Sequence, residues 1–140
     1  GKTDIVMMLN GALAGLVAIT AEPLTPGPIT AMIIGSIGAV IMYYGTKLLE
    51  NFGLDDVVGA IPVHMFAGIF GTLVVPLTNA DTSFGTQLIG VISVCVFSFA
   101  LSWITFSTLK STVGLRISRA AEKQGTDKAE VGVIAYSIRD

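Results

Sequence analysis

Charge is scarce in this sequence. Asp, Glu, Lys and Arg make up 13% of its 140 residues, where a soluble domain carries about 25%. The formal net charge of −2 leaves no basic patch, which excludes nucleic acid as a partner. One cysteine, Cys95, cannot form an internal disulfide and reads as a small buried hydrophobe in an apolar run. One histidine, His64, with one cysteine is too few ligands for a metal centre or a bis-histidine haem within this chain. There is no nucleophile–base pair, no Gly-rich phosphate loop and no carboxylate inside an apolar run, so neither enzymatic chemistry nor a cofactor is expected. No cleavable signal peptide is visible. The chain begins Gly1-Lys2-Thr3 without a Met and enters an apolar run at once. Both points lead us to expect a piece of a longer protein.

Apolar residues and glycine are plentiful instead. Hydrophobic residues make up 52% and glycines number 16, and the mean hydropathy is +0.77. The charges fall in short clusters separated by charge-free runs at 5–21, 23–46, 57–80 and 82–109. A membrane-spanning helix needs about 20 mostly apolar residues. A soluble bundle of this length could bury one such helix but not four. The expected fold class is therefore all-α, a polytopic membrane helical bundle. Four transmembrane helices are expected at about 4–21, 28–49, 56–77 and 84–113. Residues 1–115 would form the transmembrane region and 116–140 a polar C-terminal tail.

The breaks between runs have local causes. Pro23, Pro26 and Pro28 cannot continue a helix, and Pro28 suits the first turn of the next. Gly11 and Gly15 form a small-xxx-small pair, and Gly35 and Gly38 put small residues on the second run, as close helix packing requires. Tyr43, Tyr44 and Lys47 suit a membrane–water interface. Asp55 and Asp56 stand where the positive end of the third helix would favour carboxylates. The fourth run is longer than a bilayer core and should tilt or kink. Lys2, Lys47, Lys110, Arg116, Arg119, Lys123 and Lys128 fall on one side of this alternation, while the loops at 22–28 and 78–83 carry no Lys or Arg. The basic side is expected to be cytoplasmic, with the C-terminus inside.

His64 is the one ionisable group near the middle of a run. Such groups are costly in hydrocarbon and usually face an interior cavity. The alternative is a neutral imidazole hydrogen-bonded to a neighbouring helix. On an α-helix His64 would share a face with Ala60, Ile61, Ala67, Gly68 and Gly71. Small residues there could line a narrow lumen or mark a tight helix contact, and the sequence leaves both open. Pro62 removes a backbone donor, which leaves the carbonyl of Val58 without its usual partner. A kink beside a pore histidine and an ordinary membrane-helix proline are equally consistent with it.

Asn10-Gly11-Ala12-Leu13-Ala14-Gly15-Leu16-Val17-Ala18-Ile19-Thr20 resembles a signature of the ammonium transporter family (Amt/Mep/Rh). Asp55-Asp56-Val57-Val58-Gly59-Ala60-Ile61-Pro62-Val63-His64 is similar to a second segment of that family, and Gly68-Ile69-Phe70-Gly71-Thr72-Leu73 continues it. Gly114-Leu115-Arg116-Ile117-Ser118 resembles the end of its last span, and Gly125, Asp127, Gly132 and Tyr136 match its tail. The resemblance covers nearly the whole chain in the right order. Glu22-Pro23-Leu24-Thr25-Pro26, Met65, Ala129 and Val131 depart from the common pattern.

The resemblance implies spans eight to eleven of an eleven-span subunit, with seven further spans of the same subunit as a partner. It implies a homotrimer in a lipid bilayer, at the plasma or inner membrane, with ammonium or ammonia as substrate and a PII-type signalling protein as a possible partner of the tail. It places His64 as the second of two pore histidines, a proton relay with Ala60 beside it. Asp55, Asp56, Gly59, Pro62 and Gly68 would be structural near the pore, and Gly125, Asp127, Gly132 and Tyr136 would couple subunits through the tail. Ammonium would lose a proton and cross as neutral ammonia, because an apolar pore penalises charge. An ammonium sensor on the same fold and a membrane anchor of a redox complex are the competing readings.

Overall fold

The computed structural model describes residues 2–134. Among the described residues the regular elements are all helical, and there is no strand. Helix α1 is Ile5–Ile19, α2 is Pro28–Asn51, α3 is Ala67–Val74, α4 is Phe84–Thr112 and α5 is Arg119–Gln124. A π-helical turn, Ile61–Phe66, leads into α3, and a 3-10 turn, Val75–Leu77, ends it; a second π-turn, Asp127–Val131, follows α5. The chain divides within α4 into two units, Gly1–Cys95 and Val96–Asp140.

The first unit is built on α1, α2 and the segment from the π-turn through α3. Asp4 caps α1 by accepting the Met7 N–H at 3.0 Å. Pro28 occupies the first turn of α2, behind Gly27 as its cap. The buried residues of α2 are Ile34, Gly38, Met42, Gly45 and Leu49, a stripe with the spacing of one helical face. Ala14, Met42, Val63 and Ala67 form the core cluster. Small residues let the backbones close up. A Cβ on Gly15 would stand 3.2 Å from the Gly35 carbonyl oxygen, and one on Gly71 would run into the backbone of Ala18.

The expectation of four membrane-spanning helices of an eleven-helix fold is overturned. Among the described residues two helices are long and apolar enough to cross a membrane, Pro28–Asn51 and Phe84–Thr112. The first expected span, 4–21, is helical only over the 15 residues of α1, about 22 Å at 1.5 Å per residue against a core of about 30 Å. Asp4 stops it at one end and Thr20 at the other. The third, expected at 56–77, is an apolar helix over Ile61–Leu77 only. Gly59 in a left-handed conformation holds its beginning back, and Pro62 and Pro76 break it into π, α and 3-10 pieces. Charge-free length in a sequence counts these turn residues, and the folded helix does not.

In the second unit, α4 continues to Thr112 and none of its residues is buried. Phe99 and Trp103 stack on its surface with ring centroids 6.2 Å apart. Ser118 caps α5 by accepting the Ala121 N–H at 3.2 Å, and Arg116 pairs with Glu122.

Candidate functional site

The region around His64 begins with a turn at 56–63 held by a set of local hydrogen bonds. The Gly59 N–H donates to the Asp56 carbonyl at 3.1 Å, and the Val63 N–H to the Gly59 carbonyl at 3.1 Å. The two N–H groups between them are taken by the Asp56 carboxylate: Ala60 N–H reaches Oδ1 at 2.9 Å and Ile61 N–H reaches Oδ2 at 2.8 Å. A carboxylate at this position also meets the positive end of the helix. Asp56 does what the sequence reading allowed for either aspartate. Asp55 is exposed and has no hydrogen bond among the described residues.

Gly59 is buried and has φ +73°, a conformation that disfavours any residue with a Cβ. A Cβ there would also stand 2.6 Å from Asn10 Nδ2. That nitrogen donates to the carbonyl of Val58 at 2.9 Å. The expectation that Pro62 deprives this carbonyl of its donor does not hold: left-handed Gly59 precedes the helix, so Val58 lies outside the ladder in which residue 62 would have donated. Residue order alone gives no sign that Asn10 pairs with Val58, 48 positions away. The available signal was an amide side chain in an otherwise apolar stretch of α1.

Pro62 is buried, and Phe66 lies against Gly45 of α2. His64 itself is exposed in this chain, as is Ala60. The imidazole has no hydrogen bond among the described residues. The shared face expected for His64 is split: Ala67 and Gly71 are buried, and Gly68 is intermediate, with Val17 its nearest neighbour for a Cβ at 3.6 Å. The cause is the π-turn at Ile61–Phe66. Its wider i→i+5 bonding shifts the angular position of each residue after it, so a face counted at 3.6 residues per turn does not carry across.

An open cleft of about 160 Å³ lies beside this turn, lined by Thr46, Leu49, Glu50, Asp55, Asp56 and Pro62 among others. No group of three or more His, Cys, Asp or Glu side chains among the described residues could hold a metal ion.

The tail residues lie apart from this region in the sequence. Gly125, at φ +94°, ends α5, and Gly132, at φ +73°, ends the second π-turn. Asp127 opens that turn, and its carbonyl accepts the Val133 N–H at 3.3 Å. Tyr136 lies outside the described residues.

Residues 1–136 match the Ammonium Transporter Family. The chain is 39% identical to "Ammonium transporter Amt2" of Archaeoglobus fulgidus, over 97% of this chain and 33% of that protein. It is 31% identical to the "Ammonium transporter" of Corynebacterium glutamicum over 99% of this chain and 34% of the relative. It is 30% identical to "Ammonium transporter 1" of Dictyostelium discoideum over 97% and 33%. The chain thus spans about a third of the length of the curated relatives it matches.

Proposed function

The chain belongs to the ammonium transporter family, and from that premise we propose that it forms part of a membrane protein that moves ammonium or ammonia across the bilayer, with His64 as a proton relay. The family is one of transporters rather than enzymes, and membership with two long apolar helices makes this a membrane protein.

One observation carries the reading of His64. Its imidazole stands on the open side of an apolar helix without a protein partner among the described residues, while the turn before it is held by the Asp56 carboxylate and by backbone bonds. An imidazole that served only to fill a polar gap between α1, α2 and α3 would be buried and paired. An unpaired ring beside a fixed turn is available to a second group and to substrate. The chemistry suits it, since histidine gains and loses a proton near neutrality. Ammonium can give up a proton and potassium cannot, so passage as neutral ammonia both avoids the cost of charge in an apolar conduit and excludes potassium.

Within the same reading the polar segment 116–140 is a cytoplasmic tail. Gly125, Asp127, Gly132 and Tyr136 shape contacts that couple copies of the subunit in a trimer, and the segment is where a PII-type protein would dock.

The decisive experiment is His64→Ala in the full-length protein, reconstituted in proteoliposomes and read as ammonium-dependent current. Loss of charge-coupled current with the protein present in normal amount is expected. Wild-type current with unchanged exclusion of potassium would refute the role.

A further inference from the structure

Among the described residues of the first unit, two side-chain hydrogen bonds join distant parts of the sequence. Asn10 of α1 donates to the Val58 carbonyl at 2.9 Å. Asn79 Nδ2 donates to Glu22 Oε2 at 2.9 Å, across 57 positions. The first lies before the helical stretch Ile61–Leu77 and the second beyond it. Between them this stretch meets α1 through small and apolar residues: a Cβ on Gly71 would enter the Ala18 backbone, and one on Gly68 would touch Val17. Such packing is non-directional, so the directional holds are at the ends.

The pair at Glu22 is built from both sides. Glu22 follows α1 and is half-buried, and the loops at 22–28 and 78–83 offer it no Lys or Arg. Two neutral donors hold its carboxylate instead, Asn79 Nδ2 on Oε2 and the Leu24 N–H on Oε1 at 3.3 Å. Asn79 is pinned in turn. Its N–H donates to the carbonyl of buried Val75 at 2.9 Å, and its own carbonyl accepts the Thr82 hydroxyl at 2.9 Å. Its Oδ1 accepts the Asp81 N–H at 2.9 Å. This turns the amide nitrogen toward Glu22, whose carboxylate can only accept. The seam beside the pair, between Ala18, Ile34, Gly71 and Val75, has no room for a water.

We propose that Glu22 and Asn79 form a clasp that fastens the end of α1 to the end of Ile61–Leu77, so that the loops at 22–28 and 78–83 move as one. A hydrogen bond to an ionised acceptor is of the stronger kind. A shift of either loop then carries the helical stretch that bears His64, and this holds whether or not His64 relays protons.

The test exchanges donor for acceptor in the full-length protein. Asn79→Asp sets two carboxylates against each other and should lower the unfolding temperature. Glu22→Gln leaves one acceptor for two donors and should lower it less. Together the two substitutions keep every bond with the roles reversed, and the unfolding temperature should return close to that of wild type. Hydrogen exchange reads the reach of the clasp: Glu22→Ala should speed exchange of the backbone at 78–83 about tenfold, the scale of a lost hydrogen bond to a charged group. A double variant no more stable than Asn79→Asp overturns the proposal, as does exchange at 78–83 that is indifferent to Glu22→Ala. A carboxylate serving only its own turn through Leu24 would give both results. Where Asn79→Asp alone does not fold, recovery of folded protein on adding Glu22→Gln supports the clasp, and continued failure overturns it.

Discussion

Two adjacent aspartates open the third helix, and only one of them does anything within this chain. Asp56 accepts from Ala60 and Ile61, and Asp55 faces outward. Asp56→Ala should cost about 0.5–2 kcal/mol of stability, the usual range for losing a helix-capping side chain. Asp55→Ala should stay within about 0.5 kcal/mol of wild type. Thermal unfolding of the full-length protein in detergent, run on both variants, checks the difference. Gly59→Ala adds two penalties at once: about 1–2 kcal/mol for a left-handed backbone with a Cβ, and displacement of Asn10 from the Val58 carbonyl. It should unfold at a lower temperature than wild type and lose ammonium current. At this scale the sequence displayed residue types and chain order: a carboxylate near a helix start, a proline in an apolar run, a lone histidine. It could not display which of two neighbouring carboxylates turns inward, because that depends on the backbone path through Gly59.

The elements differ in how closely their backbones meet. On α3, a Cβ at Gly71 would enter the space of the Ala18 backbone, while on α4 nothing lies within 4 Å of one at Gly90. Gly71→Ala must push α3 away from α1 and should destabilise by about 1–3 kcal/mol. Gly90→Ala should be neutral or stabilising by about 0.5–1 kcal/mol, the helix-interior advantage of alanine over glycine. Parallel unfolding curves of the two full-length variants test this contrast, and a destabilised Gly90→Ala would mean that α4 has a close partner at that point. The helix starts at Pro28 and Phe84 were legible, since proline and a polar turn announce them. The lengths of the first and third helices were not. Hydropathy reports which residues avoid water and is blind to backbone turns, and Thr20 at the end of the first run and Gly59 at the start of the third shorten the helix without interrupting the charge-free stretch. The π-turn was equally invisible, because its cause is a proline in a packed setting and not a periodicity.

Across the whole molecule the apolar surface outweighs the core. The buried hydrophobic residues belong to the first unit, and large side chains along α4, among them Phe97, Phe99, Trp103 and Phe106, are more than half exposed. Monomeric soluble proteins rarely present an apolar patch of more than a few hundred Å². Expressed alone, this chain should enter the membrane fraction, resist extraction by alkaline carbonate and aggregate when detergent is removed. Recovery as a soluble monomer would contradict the membrane assignment. The family was readable at this scale because ordered motifs run nearly the length of the chain, and residues 1–136 do match it.

Composition and motif order decided by themselves that the chain is helical, apolar and akin to ammonium transporters, since these follow from which residues are present and in what succession. The tertiary structure alone decided how many helices reach across a bilayer, on which side of its helix His64 emerges, and that Asn10 completes a turn 48 residues away. Those outcomes depend on where backbone hydrogen bonds close. A carbonyl outside any helix is paired by whichever donor the fold brings within reach.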